Sequence, residues 1–198
     1  MKSIKNLKIF FAVLILVSAG ESFSAEKYEL DRAHSSIGFK VSHMVLAKVQ
    51  GFFSEYTVEL NYDAEDISKS SVKSVIEVSS ISTGNEDRDN HLRSPDFFEV
   101  AKYPEIIFIS KEIKKAGNKF LAVGDFTMRN VTKEINIPFE INGPITDPYG
   151  NIRFGIEANL EINRQDYGVK WSKTLDNGGL VAGDIVNIEI FLEVFKAK

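Results

Sequence analysis

Three histidines, two arginines and a scatter of carboxylates are the residues of this chain whose types and spacing bear on chemistry. The chain has no cysteine, which removes thiolate nucleophiles, Cys-ligated metals and disulfides. The histidines do not converge. His34 and His43 occupy opposite ends of one extended run and, by the two-residue alternation of strands, opposite faces. No H-x-x-x-H pair occurs, so no metal site is expected. Asp31, His34 and Ser35 are close in sequence, but consecutive strand residues face opposite sides, so they form no nucleophile–base relay. Nothing resembles a phosphate-cradling glycine loop opening a helix. No catalytic residue and no cofactor are assigned.

Two polar residues continue apolar faces. His43 extends the face made by Ile37, Phe39 and Val41. Arg164 extends that of Ile156, Ala158, Leu160 and Ile162. If those faces point inward, both residues do. A desolvated guanidinium needs an anionic partner. Asp89, Asp166 or Asp184 would supply one and pin loops; a ligand head group is the other reading, and the sequence leaves both open.

The elements that must position these residues are almost all strands. Extended signals run over Lys27–Asp31, Ser35–His43, Val49–Tyr62, Ser71–Ser79, Glu105–Lys111, Phe120–Met128, Glu134–Ile141, Ile152–Arg164 and Asp184–Phe195. Gly51 inside the third reads as a bend or bulge. The exception is Ser80–Phe108. It mixes Glu86, Asp87, Arg88, Asp89 and His91 with the aromatic pair Phe97 and Phe98. Asn85 reads as an N-cap, with acidic residues in the first turn. Ser94-Pro95-Asp96 reads as the start of a second helix, ended by Pro104.

These signals predict an all-β fold, a lipocalin-like eight-stranded antiparallel barrel with one short helical insertion. Closure removes exposed edges. An up-and-down order puts the short turns 63–70, 115–119 and 142–150 at one rim. The long connections 80–104 and 165–182 fall at the other, where binding sites tend to lie. Phe53, Phe97, Phe98 and Trp171 are expected to line a cavity, with Arg88, Asp89 and His91 at its rim.

The first 25 residues stand apart. Lys2, Lys5 and Lys8 precede an apolar Ile9–Val17 and then small residues, a secretory signal pattern too short to span a bilayer. A single domain, 26–198, follows. Without Lys2, Lys5, Lys8 and Glu21 the formal net charge of −4 becomes −6. With no basic stripe, nucleic acid is not an expected partner.

The motifs together resemble the YceI-like, polyisoprenoid-binding family of secreted bacterial proteins. They are Asp31-x-x-His34-Ser35-x-Ile37-x-Phe39, Gly51-x-Phe53, Ser80-Ile81-x-Thr83-Gly84-Asn85, Arg88-Asp89-x-His91-Leu92, Tyr103-Pro104, Gly124-Asp125-Phe126-Thr127-x-Arg129, Arg164-x-Asp166-Tyr167-Gly168 and Val181-x-Gly183-Asp184. Phe126 stands where that family often has Leu. The resemblance implies an apolar cavity for a long-chain amphiphile, a periplasmic location, often a homodimer, and no agreed catalytic residues.

Three functions follow in order of preference. The first is carriage or storage of an isoprenoid or fatty-acid derivative. Burying ~15–20 methylenes gains ~12–16 kcal/mol, against ~4–15 kcal/mol for association. The second is a small outer-membrane barrel, because alternation alone does not say which face is inside. The third is an isomerase or hydrolase using His43 or His91 as base, for which no nucleophile–base pair emerges.

Overall fold

In the computed structural model, residues 25–176 and 178–198 are described. Apart from Ala25, the segment read as a signal peptide lies outside the described residues.

Among the described residues, ten strands run in chain order: β1 (Glu26–His43), β2 (Ala47–Phe53), β3 (Tyr56–Tyr62), β4 (Ser71–Glu77), β5 (Ile81–Ser82), β6 (Glu105–Ala116), β7 (Lys119–Met128), β8 (Val131–Thr146), β9 (Ile152–Asn163) and β10 (Ala182–Lys196). One α-helix, α1 (Glu86–Arg93), interrupts them. All pairings are antiparallel, and β10 pairs with β1 to close the sheet. β2 and β3 both pair with β1, Phe53 with Ile37 and Tyr62 with Glu26, so together they make one stave. The closed barrel therefore has eight staves, as the alternation predicts.

Two expectations are corrected. The extended signals at 27–31 and 35–43 are one strand. Its register slips between Asp31 and Ser36, while the facing stave breaks at Ser54 and Glu55. Arg32 fills that gap, donating to the Tyr56 and Ser54 carbonyls at 2.7 Å each. Gly51 is not the bend; it pairs in register with Phe39. A Cβ there would meet the Phe39 ring at 2.4 Å. The glycine makes room for an inward aromatic.

The apolar faces point inward. Along β8, Ile137 and Phe139 are buried while Glu134, Asn136 and Glu140 are exposed. A membrane-spanning barrel has the opposite arrangement, with its apolar band toward lipid. No helix among the described residues is long and apolar enough to cross a membrane.

At the rim of the 63–70, 117–118 and 147–151 turns, an aromatic plug closes the barrel. Phe154 packs against Tyr28 and Tyr62, both with centroids at 4.8 Å, and the two tyrosines lie 5.8 Å apart. Leu60 and Val194 complete it. The two long connections share the other rim, where Trp171 meets Phe97.

Candidate functional site

Between plug and rim the barrel is hollow. A cavity of about 390 Å³ runs through it, within the range of small-molecule sites. Its wall is made from the inward phase of nearly every stave. The structure puts all twelve residues singled out from sequence on this wall: Ile37, Phe39, Val41, His43, Phe53, Arg88, His91, Phe97, Phe98, Ile156, Arg164 and Trp171. Sequence reading passed over Phe108, Phe126, Met128, Phe139 and Leu192, which also line it. Their signal was present: each lies on the apolar phase of its strand.

The ionisable lining residues, His43, Arg88, His91 and Arg164, belong to the long-loop end. They differ in what they are committed to. Arg164 is 5% exposed. Its Nε donates to the Gly183 carbonyl at 2.8 Å and its Nη1 to those of Val169 and Trp171, both at 2.8 Å. Its Nη2 donates to the Ala182 carbonyl at 3.2 Å and to Asp184 at 2.9 Å. All five donors are engaged. Asp184 is the carboxylate partner among those the sequence offered, and four carbonyls share the work. Burial pulls the Arg164 pKa down, and Asp184 opposes that.

α1 carries Arg88 and His91 to the mouth. Asn85 caps it as expected, its side chain accepting from the Arg88 amide at 2.9 Å. Buried Asp89 accepts from the Thr83 amide at 2.8 Å and the Thr83 hydroxyl at 2.5 Å. Arg93 donates to the carbonyls of Ser79 and Ile81 at 2.9 and 2.8 Å. These bonds fasten the helix to β5 and the preceding turn. Arg88 is exposed and uses Nε and Nη2 on Thr83.

The expected second helix at Ser94-Pro95-Asp96 is a set of turns. Glu99 takes a positive φ of 53°, and the Ser94 carbonyl accepts from the amides of both Phe97 and Glu99. Those turns drive Phe97 into the barrel mouth. Phe97 lies tilted against Trp171 at 5.2 Å, and His91 meets both rings edge-on at 5.0 and 5.5 Å. His91 Nε2 is 2.9 Å from Asp96 Oδ2. Arg129, on the β7–β8 turn, donates to the Phe97 carbonyl and, at 3.1 Å, to Glu99. Two long connections and a hairpin thus build one aromatic cover. Phe98 and Phe53 continue it down the wall, 6.4 Å apart.

The His43 side chain has no hydrogen-bond or ion-pair partner among the described residues. His34 lies near the slip in β1, 3.2 Å from Asp31. Asp31, His34 and Glu193 offer ligand atoms within 4.8 Å of one another. Arg153, however, donates to Asp31 at 2.7 Å and to Glu193 at 2.8 Å. A guanidinium on those carboxylates neutralises them and occupies the position a cation would take.

The sequence model of the YceI-like domain matches residues 28–194. A UPF0312 protein of Staphylococcus epidermidis is 37% identical over 168 residues, 84% of this chain and 96% of its own length. One from Photorhabdus laumondii is 34% identical over 167 residues, 84% of this chain and 87% of its own. Among solved structures, the Campylobacter jejuni YceI protein superposes with a TM-score of 0.68 at 30% identity, covering 85% of this chain and 97% of that one. A polyisoprenoid binding domain from Saccharophagus degradans gives 0.64 at 16% identity, covering 87% and 99%; at that identity the likeness is one of fold.

Proposed function

The chain belongs to the YceI-like domain family, and from that premise we propose that it binds one long-chain amphiphilic lipid, of isoprenoid or fatty-acid type, inside the barrel. It acts as carrier or store, without chemistry. The hollow apolar interior is the observation that carries this reading. A packed barrel interior would bury this apolar wall against other side chains; leaving about 390 Å³ open forgoes those contacts. Larger side chains at Ala122 or Ala158, both on the wall, would have narrowed the cavity. A void of that size also has room for roughly a dozen water-sized groups, which suits an alkyl or prenyl chain.

The ligand's polar end sits at the mouth beside Arg88, His43 and His91, with Arg164 holding the surrounding loops. The polyisoprenoid binding domain of the same fold supports the ligand class. The N-terminal pattern supports export to the periplasm.

Organic extraction and mass spectrometry of the purified protein test the reading, followed by titration of the delipidated protein with a polyprenyl analogue. Trp171 is the single tryptophan and lines the cavity, so its emission reports filling. Saturation near one ligand per chain is expected. At a hundredfold Kd, Tm should rise by about 5–10 °C. An empty extract with a flat Trp171 titration would defeat the proposal.

A further inference from the structure

The β1–β2 hairpin ends in an apolar tip that no packing explains. Val45 is 73% exposed and Leu46 89% exposed, with Met44 beside them. The turn closes with the Leu46 amide donating to the His43 carbonyl at 3.0 Å. Its two central residues, Met44 and Val45, take positive φ of 52° and 63°. Turns of that kind call for Asn-Gly, and a β-branched residue there is strained. The shorter β7–β8 turn shares the pair of positive φ angles, 50° at Arg129 and 58° at Asn130. There the strain has a return, because Arg129 holds the Phe97 segment and Glu99. Met44 and Val45 have no comparable contact. The chain keeps two bulky aliphatics where a polar pair would fold better.

The tip belongs to the rim where the cavity opens. His43 and Val49, at the base of the hairpin, line the cavity. The Met44 amide donates to the Val181 carbonyl at 3.0 Å, and Val181 is also a wall residue. The tip therefore adjoins the cavity wall at His43 and Val181. Lys48 on the hairpin, and Lys170 and Lys173 on the neighbouring 164–181 connection, are exposed and without ion-pair partners among the described residues. The same connection carries Asp166, paired with Lys133, and exposed Asp176, while the acidic first turn of α1, Glu86 and Asp87, lies on a different one.

We propose that the Met44-Val45-Leu46 tip inserts into the surface of a lipid bilayer, with Lys48 and Lys173 against its head groups, so that the cavity mouth meets the membrane where ligand enters or leaves. Three aliphatic residues flanked by lysines suit an anionic interface: the apolar part enters the acyl boundary and the cations stay at head-group level. This rests on the lipid-carrier reading above.

The test uses residues 26–198, which contain every strand of the barrel, and the variant Met44→Asn/Val45→Gly/Leu46→Thr. The replacement suits the turn, so the variant should melt at or above the parent's temperature. The parent should float with phosphatidylethanolamine–phosphatidylglycerol vesicles and bind more weakly as salt rises. The variant's vesicle affinity should fall roughly tenfold or more. Its uptake of a polyprenyl analogue from solution, read by Trp171, should stay at the parent's level. A parent that ignores vesicles, or a variant that binds them equally, would overturn the proposal. So would a dimer that the variant dissolves while neither form floats, since the tip would then belong to a second copy. Vesicle binding lost in the variant, in a parent whose Trp171 never responds to the analogue, would instead leave docking standing and remove the carrier reading.

Discussion

Arg164 illustrates how an inward charge can be settled by backbone. Its guanidinium bridges Val169 and Trp171 on one side to Ala182, Gly183 and Asp184 on the other. It ties both ends of the 164–181 connection together beneath the aromatic cover. Arg164→Met would keep much of the stem's packing but strand four carbonyls and Asp184 without their donor. We expect a loss of about 3–5 kcal/mol, as for breaking one side of a buried pair. Urea denaturation would read it as a lower midpoint at unchanged slope. The folded fraction should still bind lipid, because the head of Arg164 is turned to the protein. A variant of parental stability that no longer takes up lipid would assign the guanidinium to the ligand instead.

Among the elements, the β1–β2 hairpin gives the cavity Ile37, Phe39, Val41, His43, Val49 and Phe53. Gly51 lies opposite Phe39, and a Cβ there would also come within 2.9 Å of the Thr83 methyl. The clash is with the far end of a side chain, so the Phe39 ring is what would move. Gly51→Ala is expected to push that ring into the cavity at a cost of about 1–3 kcal/mol. Polyprenyl affinity should drop more than stability does. Gly124 makes an instructive contrast. A Cβ there meets the Ile109 carbonyl oxygen at 2.3 Å, beside the register shift between Ser110 and Glu112 in β6. Backbone cannot swing aside, so Gly124→Ala should lower Tm more than Gly51→Ala does and leave the cavity wall as it was. Thermal melts and Trp171 titrations on both variants separate the two effects; equal affinity losses would refute the distinction.

For the molecule as a whole, closure depends on the seam between β1 and β10. Near the plugged end an ion-pair network crosses it. Arg153 on β9 joins Asp31 on β1, Glu193 on β10 and Asp147 in the β8–β9 turn. The side chain of Asn151, the guanidinium of Arg153 and two backbone amides hold the Asp147 carboxyl well below the usual carboxylate range; partial burial opposes them. Arg153 and His34 lower that of Asp31, again against burial. A carboxylate with a depressed folded pKa binds fewer protons folded than unfolded. Its contribution is complete above the unfolded value near ~4 and is lost as pH falls toward the folded one. Stability should therefore decline on acidification below about pH 4. Asp147→Asn should lower Tm at neutral pH and flatten that decline. Melts taken across the acid range check this; parallel curves for parent and variant would show that Asp147 does not contribute to the acid sensitivity.

What the sequence determined by itself is whatever depends on neighbours along the chain. The period of two fixed which residues share a face, and counting strands placed both long connections on one rim. Asn85 and the acidic turn after it marked the start of α1. The motifs carried the family. Tertiary structure decided the rest, because it turns on contacts between residues far apart in sequence. Alternation is symmetric, so only packing shows that the apolar face is inside. Pro95 invites a helix, but the Phe97–Trp171 contact and the grip of Arg129 favour turns. Gly51 reads as a bend until Phe39 is seen opposite it. The hollow itself is invisible in sequence, since volume left unfilled is a property of how eight staves close and of nothing written in any one of them.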